Sequence, residues 1–546
     1  MNLTTSASNR ALVLALNALA AASLNVHHAH AQGQLIYNQL GPVNLANPFF
    51  DLPSPSSAPS LDADGRVAYS RWIASFGSIH TALGNTITPA IVLNPDPSSA
   101  DYRPMSFSRR SPLISNGTVY SINIDSNAAA GTRIYRNANG VVETILSPNQ
   151  LLDAATGTIA AGQTNPVGTI AGQGQSLVVP LRTRTPNDPD SLNRTSLIRI
   201  DGSQTTLIST MGLTPAPGTT QQFASNALST SVRASMDPTG RVLFSTSLAA
   251  GASGQQFAAG IWSHTLAGGI TPLYLARSNT ADPVPTGPLS VNAQGDIAFL
   301  STDNNAYVYS ASTGNVQPVS ARAPFHPAPS STIALNQVVL NNAGQVLSSV
   351  SLSSSPTGRA QAIVITDPTL GSRVIARSGD PLPGFSGMVQ SLSVIGSSSA
   401  VDLQLFSPRL STNSVTYFDQ IALNNAGQAA FMGGGSTGLS TELNALFAYD
   451  PQGGLVTLAL VGRPLPTSLP GLASSATVTQ IDFIGNSNTT SGYATGLNDQ
   501  GIVAFRAAFS DGSSRLITVQ IPSPGALSTL ALASLIVARR RRGRSL

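Results

Sequence analysis

Leu423-Asn424-Asn425-Ala426-Gly427-Gln428-Ala429-Ala430-Phe431 is the stretch on which the fold turns. An Asn or Asp followed three residues later by Gly, and then by an extended run, is the signature of a type I turn leading into a strand. The Asx side chain bonds the start of the turn, and the Gly takes the left-handed exit. The residues after Gly427 alternate as a half-buried strand does. The small Ala430 lets a neighbouring sheet approach, and Phe431 fills the gap beyond it.

The phrase recurs. It appears as Leu61-Asp62-Ala63-Asp64-Gly65-Arg66-Val67-Ala68-Tyr69 and as Met236-Asp237-Pro238-Thr239-Gly240-Arg241-Val242-Leu243-Phe244. Further copies centre on Gly295, Gly344 and Gly501, with weaker ones at Gly117 and Gly174. The mean interval from Gly65 to Gly501 is about 62 residues, close to or a little over one propeller blade. A second phrase follows each first one, as in Ala445-Leu446-Phe447-Ala448-Tyr449-Asp450-Pro451 followed by Leu458-Ala459-Leu460. It reads as two strands around a tight turn. With the apolar strand before the Asx turn, each repeat holds four strands. Four antiparallel strands repeated around a ring make a β-propeller.

The expected fold is therefore all-β: eight four-stranded blades over 32–521, with seven as the alternative count. A signal helix precedes it and a short apolar helix follows. The last repeat stops one strand short at Ile521. Gln34-Leu35-Ile36-Tyr37 is the strand expected to complete it and close the ring. The long intervals before Gly427 and Gly501 are expected to hold surface loops around 386–411 and 469–491.

Both ends read as addresses. Arg10, the apolar run 11–24 and Ala29-His30-Ala31 have the order of a secretory signal cut after Ala31, giving a leader over 1–31. At the other end Pro522, Ser523, Pro524 and Gly525 precede an apolar run, 526–538, and then Arg539, Arg540, Arg541, Arg542 and Arg544. The run is short for a permanent span, and the arginines would stall export. Of the 28 basic residues, these five and Arg10 belong to the ends, which leaves 22 against 24 acidic ones in the body. The basic excess is a property of the ends and gives no reason to expect a nucleic-acid partner.

The tail over 522–546 resembles the PEP-CTERM sorting domains of bacteria, with Pro-Ser-Pro in place of Pro-Glu-Pro. The resemblance implies transient membrane association and cutting near 522–525 by an exosortase-like enzyme, after passage through the export machinery. The repeat is similar to that of the tandem NxxGxxAF proteins, over roughly 34–521. That resemblance implies a propeller-like fold and display at the cell surface or in extracellular matrix, and no defined activity.

Little in the residues points to chemistry. There is no cysteine, which removes disulfides, thiol nucleophiles and zinc-thiolate sites. There is no lysine, so a phosphate-cradling Gly-Lys loop is excluded. Past the leader, His80, His264 and His326 fall in different repeats without metal-ligand spacing. Glutamate occurs only at Glu143 and Glu442. Asp62-Ala63-Asp64-Gly65 is short of the ligands that a calcium loop needs. Gly434-Gly435-Ser436-Thr437-Gly438 matches a nucleophile elbow in letters only, for no histidine follows it. No cofactor or metal is expected. Ala-Arg pairs recur after the last strand of a repeat, at Arg277, Arg322 and Arg377. They are the candidate binding face for an anionic polymer, set against a role in capping strand ends. The reading is a non-enzymatic module for polysaccharide or protein; the alternative is a secreted propeller hydrolase or lyase acting on glycans.

Overall fold

The computed structural model describes residues 35–40, 58–73, 76–92, 112–124, 132–147, 151–153, 157–159, 170–184, 194–224, 233–249, 256–319, 333–352, 360–377, 391–394, 421–436, 442–485 and 490–521. All elements in them are strands, and they form eight antiparallel sheets. Each sheet has one four-stranded meander. Blade 1, for example, runs Ser60–Leu61, Val67–Ile73, Phe76–Leu83 and Thr86–Val92. The flanking helices expected from the sequence, with Ala29, Ala31, Pro522, Ser523, Pro524, Gly525, Arg539, Arg540, Arg541 and Arg542, lie outside the described residues, as does Arg322.

The Asx phrase forms the turn between the first and second strands. At Gly65, Gly240, Gly295, Gly344, Gly427 and Gly501 the glycine N–H donates to the carbonyl of the Asn or Asp three residues earlier, at 2.9–3.1 Å. The glycine itself sits at φ 76–85°, where a Cβ would be strained. This is a type I turn closed by a left-handed bulge residue. The two weak copies are a different device. Ser115 pairs Thr118 and Gln173 pairs Ser176, so their loops are only two residues long.

The alternation after each glycine separates the two faces of a blade. Phe431 packs against blade 6, with Val339, Leu347 and Ile363. Ala430 faces blade 8, with Val478 and Phe505. Tyr69 and Ala504 meet likewise between blades 8 and 1. Eight apolar clusters fill the eight junctions between neighbouring blades, and the 8–1 junction closes the ring. Burying one such aromatic ring contributes roughly 1.5–3 kcal/mol.

Closure uses both ends of the body. Val478–Asp482, Ile502–Phe509 and Ser514–Gln520 make three strands of blade 8. The fourth is Ile36–Gln39, antiparallel to the last, with Ile36 opposite Gln520 and Gln39 opposite Ile517. Tyr37 of this strand is buried at the 7–8 junction, and its hydroxyl donates to the Leu458 carbonyl at 2.8 Å.

The expectation of a surface loop over 469–491 holds only for the largely exposed stretch 470–475 and is corrected for the rest. Leu469, Ala476 and Phe483 are buried, Val478–Asp482 is the first part of an inner strand, and Ser491 is wholly enclosed. The stretch is long because it carries a strand and an insertion into the axis. Of the segment 386–411, only Ser391–Val394 is described; it pairs with the second strand of blade 7.

Candidate functional site

First and third strands run toward the Asx turns, and second and fourth strands run away from them. One face, the turn face, thus carries the Asx turns near the axis and the hairpins between third and fourth strands at the rim. Side chains tie these two rings together. Gln345 Nε2 donates to Asp367 at 2.8 Å, and Gln428 Nε2 to Asp450 at 3.0 Å.

The Asn of the motif does two jobs. Oδ1 of Asn424 accepts from the amides of Ala426 and Gln428, at 3.1 and 2.9 Å, which sets the turn. Its Nδ2 donates to the Asn498 carbonyl in the next blade, at 3.0 Å. Asn341 donates in the same way to the Asn424 carbonyl, and Asn498 to the Asp62 carbonyl. A relay thus runs from blade 6 through 7 and 8 to 1. At blade 1 the carboxylate of Asp62 takes over, accepting from the amides of Asn116 and Gly117 in blade 2. Its oxygens are therefore engaged as acceptors, and Asp64 pairs with Arg66. Where the short turns occur, arginine bridges the blades instead. Arg136 reaches the Gln175 carbonyl at 3.3 Å and Arg199 the Gly240 carbonyl at 2.7 Å.

Behind this ring the axis is crossed by the chain itself. The inner edge of blade 8 breaks off at Asp482 and resumes at Leu497, which pairs Val503. Between them residues 490–495 cross the axis. Ser491 O accepts from the Met236 amide at 3.1 Å and the Ser235 hydroxyl at 2.7 Å. Ser491 Oγ accepts from the Val291 amide at 3.0 Å, and Thr490 Oγ1 donates to the Val291 carbonyl at 2.8 Å. Gly492 O takes the Gly172 amide, and Thr495 O takes the Leu61 amide, both at 2.7 Å. The segment is thus bonded to blades 1, 3, 4 and 5. Gly492 has φ 73°, and a Cβ there would stand 2.9 Å from Met236 O. Only glycine fits this crossing.

Ionisable groups lie at blade junctions. Asp201 accepts from the Ser176 hydroxyl at 2.5 Å and from the Arg199 guanidinium at 2.6 and 2.9 Å. Burial pushes its carboxyl up, but these bonds and the Arg199 charge outweigh that and hold it below the ordinary range. Nearby His264 is held below its usual value by burial and then by Arg199. Asp482, enclosed where the inner strand breaks off, is pushed up by burial despite Arg506 and Gln480. His80 stacks on Tyr69 and meets the Ser78 hydroxyl at 2.7 Å. Asp201, Arg199 and His264 thus come together between blades 3 and 4, whereas His80 in blade 1 and Asp482 in blade 8 lie apart from them. Among the described residues no group of three His, Asp or Glu could hold a metal ion.

The literal elbow around Ser436 is a strand. Gly434, Gly435 and Ser436 pair with Asn444, Leu443 and Glu442. Of the candidate binding arginines, Arg277 and Arg377 end the fourth strands of blades 4 and 6, so both stand on the face opposite the turns. Arg277 is exposed, and its amide, rather than its guanidinium, is what bonds Asp282. Sequence reasoning missed the axial segment. Its signal was the long interval to Gly501 and the small residues Thr490-Ser491-Gly492.

Among solved structures the chain is similar to a puromycin-hydrolyzing peptidase of Mycobacterium tuberculosis (10% identity, TM-score 0.37, covering 88% of this chain and 58% of that one). It is also similar to the β-propeller domain of the Trilobed protease from Pyrococcus furiosus (12%, 0.35, 75% and 100%). TolB from Acinetobacter baumannii is a third (13%, 0.27, 74% and 82%). The chain spans less than two thirds of the peptidase. No curated protein matches. Residues 61–527 match a family described as a family of unknown function, DUF7453, and the chain belongs to that family.

Proposed function

We propose that this propeller is an exported, non-enzymatic module of the bacterial surface or matrix, which binds polysaccharide or protein through the face opposite the turns. The observation that carries the reading is the segment crossing the axis. A propeller enzyme needs ionisable side chains converging on an open cavity. Here residues 490–495 occupy the axis near the turn face, and the groups meeting there are amides, carbonyls and hydroxyls already bonded to one another. The signal-like leader and the PEP-CTERM-like tail support export and a sorting step by an exosortase-like enzyme. Arg277 and Arg377, on the face away from the turns, support an anionic ligand there.

The test is a binding titration of the full chain against purified extracellular polymer and envelope proteins of the native bacterium. Saturable binding to polymer, weakened about tenfold in the Arg277→Ala/Arg322→Ala/Arg377→Ala variant, supports the reading; tenfold corresponds to about 1.4 kcal/mol. Release of shorter glycans from the polymer would instead identify a hydrolase or lyase and overturn it.

A further inference from the structure

We infer that the turn face docks on a lipid surface while the C-terminal tail is in place, with the leucine- and valine-bearing hairpin tips at its rim seated in the interface. The inference rests on the reading of 526–538 as a membrane-directed segment. The structure supplies the geometry. Ser514–Gln520 is the third strand of blade 8 and ends at the turn face, where the amide of Ile521 donates to the Gly501 carbonyl at 2.8 Å. Ile521 is fully buried. The last fixed point of the body is therefore in the ring of Asx turns. The strand Ile36–Gln39 starts at the same place, for Ile36 lies opposite Gln520.

Only Pro522, Ser523, Pro524 and Gly525 separate Ile521 from the apolar run. Four residues reach at most about 14 Å when fully extended. The seven residues of Ser514–Gln520 alone measure roughly 23 Å at the usual rise per residue. The linker cannot carry the apolar run around a blade to the opposite face. With 526–538 in a bilayer, the turn face must be the side that meets it.

That face presents what an interface accepts. Among the described residues six large apolar side chains are exposed, and four of them sit at hairpins between third and fourth strands: Leu83 (46%), Val141 (58%), Leu266 (55%) and Leu370 (86%). They belong to blades 1, 2, 4 and 6, so they are spread around the rim. Single exposed leucines are ordinary on a soluble surface; their collection at one set of turns, on the face where the tail leaves, is what gives them a common partner. The charges beside them are mixed, with Asp64 and Asp367 among Arg66 and Arg373. Attachment by the tips is accordingly through apolar burial in the headgroup region and is insensitive to salt.

The absence of cysteine permits a direct test. The full chain, bearing single substitutions Leu266→Cys or Leu370→Cys, is labelled with an environment-sensitive fluorophore and reconstituted with phosphatidylcholine vesicles carrying a lipid-borne quencher. Val92→Cys and Leu213→Cys are the controls; both are exposed apolar positions on the opposite face. The tip labels should shift to the blue and lose most of their emission to the quencher, in low and high salt alike, while the control labels do neither. A chain that floats with the vesicles while tip and control labels behave alike contradicts the docking and leaves the anchoring reading standing. A chain that does not float contradicts the anchoring and the docking together.

Discussion

At the scale of the residue, the asparagine of the repeat ties the turns of blades 6, 7, 8 and 1 to one another. Its amide oxygen sets its own turn, and its amide nitrogen reaches the next blade. Asn424→Asp keeps the first role and destroys the second. It also places a carboxylate against the Asn498 carbonyl and the Gln428 Oε1. The expected cost is about 3 kcal/mol in a denaturant titration, that of a buried charge without a donor. The turn was legible in the sequence because an Asx–glycine spacing fixes local backbone geometry. The relay was not, since it depends on which carbonyl of another blade lies above the amide. Asp367 provides a pH test. Bonds from the Thr369 hydroxyl, Gln345 and the amides of Thr369 and Leu370 hold its carboxyl below the ordinary carboxylate range. A carboxyl with a lowered folded-state pKa stabilises above its unfolded value, about 3.9, and that contribution is lost as pH falls. The melting temperature of the native chain should therefore drop on acidification below about pH 4 more steeply than that of Asp367→Asn; parallel curves would deny the carboxylate this role.

At the scale of the element, blade 8 carries two features that set the architecture. Its inner strand is interrupted by the axial segment, and its outer strand comes from the other end of the chain. Gly492→Ala forces a Cβ against Met236 O and asks alanine to adopt φ 73°. A loss of about 1–3 kcal/mol is expected, with hydrogen exchange accelerated at the amides of Gly172, Met236 and Val291, which bond the segment. Unchanged exchange at those amides would mean that the segment does not bind them. Removal of 32–40 should lower the melting temperature sharply, because it opens the edge of Ser514–Gln520 and removes Tyr37 from the 7–8 junction. The completing strand could be read from the sequence, since one repeat lacks a strand and one strand lacks a repeat. The axial segment could not be read, because interval length reports that residues are inserted but not whether they turn outward or into the axis.

At the scale of the molecule, the blade count followed from spacing, and even the two blades with altered turns kept the period. The asymmetry of the faces was hidden. Arg277 and Arg377 share a face only because fourth strands run away from the turns, and the two ends of the body meet only because strands from both share blade 8. That meeting decides closure and brings both ends of the body to the turn face. It is tested most directly by crosslinking Asn38→Cys to Thr518→Cys, positions that face one another across the closing pair at a separation a disulfide can bridge. Mild oxidation of the folded full-length double variant should give an intramolecular crosslink that forms readily and vanishes when oxidation follows denaturation. Free thiols in the folded chain, or crosslinks only between two chains, would contradict a ring closed by its own N-terminal strand.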